Sequence, residues 1–123
     1  MSYATAAPAA YRQQEVLTAT PGRLVVMLYD GAGRFLHQAA FAMREGDTAK
    51  AGMRLSRAEA IIQELLATLD HEQGGEIASR LQGLYVFFLR YLGEARIERD
   101  AERIDRVRGQ LADLREAWAQ IAA

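Results

Sequence analysis

Catalysis and metal binding need particular side chains at particular spacings, and this chain offers few candidates. It has two histidines, His37 and His71, and no cysteine. Without thiols it can form no disulfide framework, zinc–thiolate site or thiol nucleophile. A di-metal carboxylate bundle uses Glu-x-x-His pairs on inward helix faces. Here the residues three positions before the histidines are Arg34 and Thr68. A phosphotransfer histidine needs an exposed helical setting. His37 is in a helical stretch, but His37-Gln38-Ala39-Ala40-Phe41 lacks the lysine and glycine that usually follow such a histidine, and His71 falls in an expected loop. Asp30-Gly31-Ala32-Gly33 starts like a calcium loop without the further ligands. No strand precedes a glycine-rich phosphate loop. Both histidines therefore read as surface or packing residues, and nothing points to an enzyme, a cofactor or a metal.

The composition narrows the classes further. Of 123 residues, 50% are hydrophobic and 25% charged, with a net charge of −1. That much apolar surface excludes disorder of the whole chain. The balanced charge supplies no field to draw the protein to nucleic acid or anionic lipid. No apolar run approaches the ~18 residues of a membrane span. The N-terminus lacks the basic start and apolar centre of a signal peptide. The expectation is a cytoplasmic protein of one domain, with no nucleic-acid partner and no membrane insertion.

The elements follow from caps and periodicity. Residues 1–19 read as a flexible N-terminal arm in which Tyr11, Gln14 and Leu17 sit at helical spacing, a short capping segment that must lean on the rest of the protein to be ordered. Thr20-Pro21 opens the first long helix, which runs to about Glu45 and stops at Gly46. Asp47 caps a second helix, about 48–69, with a seam of Leu55, Ala58, Ile62, Leu65 and Leu69. Gly74-Gly75 breaks the pattern, and a third helix runs from about Gly75 to Arg96. Asp100 caps a fourth, with Ile104, Val107, Leu111, Leu114, Trp118 and Ile121 at heptad spacing. Long helices with short connections must be antiparallel neighbours. The predicted fold is all-α: an up-down-up-down four-helix bundle over 20–123, with the N-terminal segment as its cap.

Two helices carry more apolar surface than a bundle needs. Leu24-Val25-Val26-Met27-Leu28-Tyr29 covers every face of the first helix, and Leu84-Tyr85-Val86-Phe87-Phe88-Leu89 does the same in the third. The excess is covered by the arm, covered by a second copy, or left as a groove for a partner. Tyr85, Phe88 and Leu92 are the groove candidates, with core packing as the competing reading of each. Gly31 inside a helix points to close approach by another backbone. Asp30, beside the apolar run, needs a hydrogen-bond partner such as backbone amides of the arm. The mixed charges of the fourth helix read as a solvated face with weak ion pairs.

The same residues carry a resemblance. Tyr11-Arg12-Gln13-Gln14-Glu15-Val16-Leu17-Thr18-Ala19-Thr20-Pro21, then Leu24 to Ala32, then Leu69-Asp70, Gly74-Gly75-Glu76-Ile77-Ala78, Leu81, Leu84-Tyr85 and finally Leu114-Arg115-Glu116-Ala117-Trp118 resemble the flagellar export chaperone for flagellin, the FliS family. The resemblance spans about residues 11–121. It implies a cytosolic protein, not an enzyme, that binds the disordered C-terminal segment of flagellin. Binding prevents premature polymerisation and helps present flagellin to the export gate of the flagellar type III export apparatus.

On that resemblance the partner-binding residues are Tyr11, Gln14, Val16 and Leu17, as a lid that flagellin displaces, and Leu28, Tyr29, Asp30 and Gly31, as its seat. Tyr85, Phe88 and Leu92 are added from their excess apolarity. The expected oligomeric state is a monomer or weak homodimer. The alternative function is a homodimeric helical scaffold whose extra apolar faces pair with a second copy.

Overall fold

Each helix starts where a side-chain acceptor can satisfy its first free amides. The computed structural model of the chain describes residues 20–121. It consists of α1 (Pro21–Arg44), α2 (Thr48–Ala67), α3 (His71–Glu98) and α4 (Ala101–Ile121), with no strand among the described residues. Thr20 Oγ1 accepts from the Arg23 amide at 3.2 Å, and Pro21 takes the first helical position. Asp47 accepts from the Lys50 amide at 3.1 Å. Asp70 accepts from Glu72 and Gln73, both at 3.1 Å. Asp100 accepts from Glu102 and Arg103 at 3.1 and 3.3 Å. Each such cap contributes about 1 kcal/mol.

The helix ends are equally local. Gly46 (φ +81°) closes α1, with its amide bonded to the Met43 carbonyl and that of Asp47 to the Ala42 carbonyl. Arg99 does the same for α3 at φ 54°, with the Asp100 amide on the Ala95 carbonyl. One boundary differs from expectation. The Asp70 cap draws His71 into helical structure, so α3 begins at His71 rather than Gly75. The break survives inside it as a kink at Gly75 (φ 51°, ψ −122°), a conformation that favours glycine.

The core is a set of inward stripes at steps of three and four: Tyr29, Ala32 and Leu36; Leu55, Ala58, Ile62 and Leu65; Tyr85, Phe88 and Leu92; Ile104, Val107 and Leu111. Helix α1 packs on α2 and α4, and α3 packs on the same two helices. The α4 seam outlasts the core. Leu114 and Trp118 are only partly covered, and Ile121 is 78% exposed.

Much of the excess apolar surface is absorbed at the core's margin, where Val25, Leu28, Phe35, Met43, Leu84, Leu89 and Tyr91 pack against it. Phe41, Val86, Phe87 and Ile97 stay exposed. Arg96 ties α3 to α2, donating to the Gly52 carbonyl at 3.2 Å and pairing with Glu59 at 2.5 Å. No described helix is long and apolar enough to cross a membrane.

Candidate functional site

At one end of the helices the described residues leave the core unfilled. Leu65 of α2 and Leu69, just past its C-cap, stand there. The Asp70 cap and the Gly75 kink then aim Ile77, Ala78, Leu81 and Tyr85 of α3 at the same space, while α1 contributes Val25 and α4 contributes Trp118 and Ile121. Together they line a cavity of about 530 Å³. Both glycines of the turn have a role. A Cβ on Gly74 would lie 2.9 Å from the Ala78 Cβ, so only glycine fits without a shift, and Gly75 supplies the positive φ.

The polar groups of the lining are few. The Thr68 hydroxyl is already bonded to the Leu65 carbonyl at 2.8 Å. At the floor the Tyr85 hydroxyl meets that of Tyr29 in a short buried hydrogen bond. Burial pushes both phenols above the ordinary tyrosine value. For Tyr29, hydrogen bonds with Tyr85 and Trp118 pull the other way, whereas for Tyr85 the interaction with Tyr29 adds to the rise. Both hydroxyls are neutral at physiological pH. No group of side chains able to hold a metal ion occurs among the described residues. The cavity's chemistry is burial of apolar side chains.

The residues singled out in the sequence fall in several places. Tyr11, Gln14, Val16 and Leu17 lie outside the described residues. Leu28 is at the core margin and Tyr29 inside it. Gly31 is buried, and a Cβ there would lie 3.2 Å from Ile61 Cδ1, so α2 is the element that approaches it. Asp30 pairs with Arg115 Nε at 2.9 Å, a guanidinium that α4 brings to it; the arm amides lie outside the described residues.

Tyr85, Phe88 and Leu92 take the places expected on the competing packing reading, with Tyr85 also on the cavity wall. Their three-four spacing is the inward stripe of α3. All three are buried in the core, and only Tyr85 reaches the cavity. The rim residues Ile77 (70% exposed) and Ile121, and the wall residues Val25, Leu65 and Trp118, were not singled out. The one local signal for them is the double glycine set between apolar segments.

The sequence model of the family described as Flagellar protein FliS matches residues 3–123. The flagellar secretion chaperone FliS of Salmonella typhimurium is 41% identical over 111 residues, covering 89% of this chain and 82% of its own. The flagellar secretion chaperone FliS of Bacillus subtilis is 38% identical over 111 residues, 90% of this chain and 82% of its own. The flagellar secretion chaperone FliSB of Pseudomonas aeruginosa is 33% identical over 124 residues, 98% of each chain. A family match over nearly the full length, with relatives at these identities, means that the chain belongs to the FliS family of flagellar secretion chaperones.

Proposed function

We propose that this protein is a cytoplasmic chaperone that binds the C-terminal segment of flagellin, keeps it from polymerising prematurely and presents it to the flagellar type III export gate. The observation that carries the reading is the apolar cavity between the helix ends in a chain of this family. A client disordered on its own can lay the apolar face of an amphipathic helix into such a cavity. Its ordering entropy opposes binding, so a large contact can remain releasable.

The helices run up-down-up-down, each antiparallel to the next. The contacts Arg44–Asp105 and Asp30–Arg115 between α1 and α4, and that of Arg96 with Gly52 between α3 and α2, support this course. Residues 1–19 are an arm and 20–123 the bundle. Tyr11, Gln14, Val16 and Leu17 act as a lid seated near Leu28, Tyr29, Asp30 and Gly31, which flagellin displaces. Val25, in the second turn of α1, lines the cavity, which supports a seat for the lid at the start of this helix. The working form is a monomer or weak homodimer.

Calorimetric titration with a flagellin C-terminal fragment, against a scrambled control, tests this. Saturable one-to-one binding with a negative heat-capacity change is expected. Ile77→Glu, at the exposed rim, should weaken binding about tenfold without lowering the melting temperature. No binding by the folded wild type would refute the flagellin reading, and a tight dimer without affinity for the fragment would favour a homodimeric scaffold.

A further inference from the structure

Arg44, Arg80, Arg96, Arg103 and Arg115 each hold a carboxylate at 2.5–3.2 Å. Among the described residues Lys50, Arg90, Arg99 and Arg106 hold none, and neither do the three arginines Arg34, Arg54 and Arg57. These three share one face. The point where a Gly31 Cβ would sit is 3.2 Å from Ile61 Cδ1 and 3.8 Å from a guanidinium nitrogen of Arg34, which places Arg34 over the α1–α2 seam. Arg57 and Arg54 precede Ile61 by one and two turns on the same side of α2. On the other flank of α1, Gly33, Arg34, His37, Gln38 and Arg108 line a shallow depression.

Two buried side-chain polar atoms among the described residues lack a hydrogen-bond partner, the Nε atoms of Arg54 and Arg108. They flank α1 on its two sides. The carboxylate nearest Arg108 Nε, that of Asp105, is 3.7 Å away and gives its other oxygen to Arg44 at 2.7 Å. Asp30 is engaged by Arg115. Glu64, one turn beyond Ile61, pairs with none of the three arginines. Arg34, Arg54 and Arg57 thus set three cations without a carboxylate along the middle of one face, with Arg108 only loosely paired at its edge.

We propose that Arg54, Arg57, Arg34, His37 and Arg108 form a belt across the outer face of α1 that docks an acidic segment of a protein partner. Guanidinium forks match carboxylates in planar, bidentate geometry. Phe41, 61% exposed and one turn beyond His37 and Gln38, adds an apolar contact beside the charges. A protein fits better than a nucleic acid. Asp30, Asp105 and Glu64 at the margins would repel a continuous phosphate track, whereas spaced carboxylates on a polypeptide can avoid them. Arg54 precedes Leu65 on α2 by about 16 Å of helix rise, so the belt is distinct from the apolar cavity and can be occupied together with it. The proposal stands whether or not flagellin is the client.

The test uses the full chain and fluorescently labelled polyglutamate, with polylysine, oligothymidylate and anionic lipid vesicles as comparisons. Polyglutamate is expected to bind saturably and more weakly as salt is raised. Amide shifts on binding should cluster at Arg34–Gln38, at residues 54–61 and at Arg108. The double variant Arg34→Glu/Arg57→Glu should lose at least about tenfold in affinity, whereas Arg80→Glu on the far surface should change it less than about twofold. If the charge reversals disturb folding, Arg34→Gln/Arg57→Gln gives the same comparison with neutral side chains. Unchanged affinity in the belt variants, shifts clustered elsewhere, no saturable binding, or tighter binding of oligothymidylate or vesicles than of polyglutamate would each overturn the proposal.

Discussion

The buried tyrosine pair gives the sharpest test of the packing. Tyr29 and Tyr85 are covered almost completely, and their hydroxyls bond each other between α1 and α3. Each hydroxyl is the other's hydrogen-bond partner. Removing one partner of a buried hydrogen bond leaves the other unsatisfied, at about 1–3 kcal/mol. Tyr85→Phe and Tyr29→Phe each strand one hydroxyl and should each fall in that range. The double variant strands neither, so it should be less destabilised than the two singles added, by at least about 1 kcal/mol. Urea denaturation of the four proteins measures this cycle. For a domain of this size, each 1 kcal/mol should lower the melting temperature by about 4–8 °C. Additivity within about 0.5 kcal/mol would refute the argument.

The same pair sets a pH dependence. Both phenols are raised in the folded state, first by desolvation, so their contribution is fully present below about pH 10 and is lost as pH climbs beyond the ordinary tyrosine value. Denaturation midpoints should drop above that pH in the wild type and drop less in the double phenylalanine variant; equal slopes would sink the assignment. Leu111→Ala, at a fully buried position of the α4 seam, should cost about 2–5 kcal/mol by chemical denaturation, and a loss under about 1 kcal/mol would place the seam elsewhere. Arg99→Gly should stabilise the protein by up to about 1 kcal/mol, because Arg99 holds a left-handed conformation at the α3 cap. A destabilisation on thermal melting would show that its side chain matters more than its backbone.

The helix boundaries were legible because they are local chemistry. Thr20-Pro21, Gly46-Asp47 and Asp100 each pair a cap with its helix within a few residues, and each caps or closes a helix in the structure. The two boundary features that differed depend on more than one position. His71 joins α3 because Asp70 caps the turn ahead of the Gly75 kink. Ile121 keeps the heptad spacing yet stays exposed, since periodicity does not say which positions meet a neighbour. Ion pairs such as Asp30–Arg115 join residues far apart in the chain, and nothing near Asp30 indicates which helix will supply the cation.

The site was less legible for a different reason. Spacing identifies a stripe but does not say whether it faces the core or a partner, so Tyr85, Phe88 and Leu92 looked the same either way. What separates them is the size of the side chains opposite. Helix α1 meets α2 and α4 largely through alanines, including Ala32, Ala39, Ala40, Ala51 and Ala58, which permit close approach. Helix α3 instead presents Tyr85 and Phe88, and the Tyr85 ring stands against that of Tyr29 with centroids 6.5 Å apart. Two large rings meeting across the core hold α3 away from α1 near its N-terminal half, where the turn residues Gly74 and Gly75 add no side chains to fill the gap. The opening is therefore a consequence of where bulk is placed, alanines on α1 and α2 and facing tyrosines on α1 and α3. Ile77 and Ile121 remain at its rim with apolar surface that the four helices do not cover.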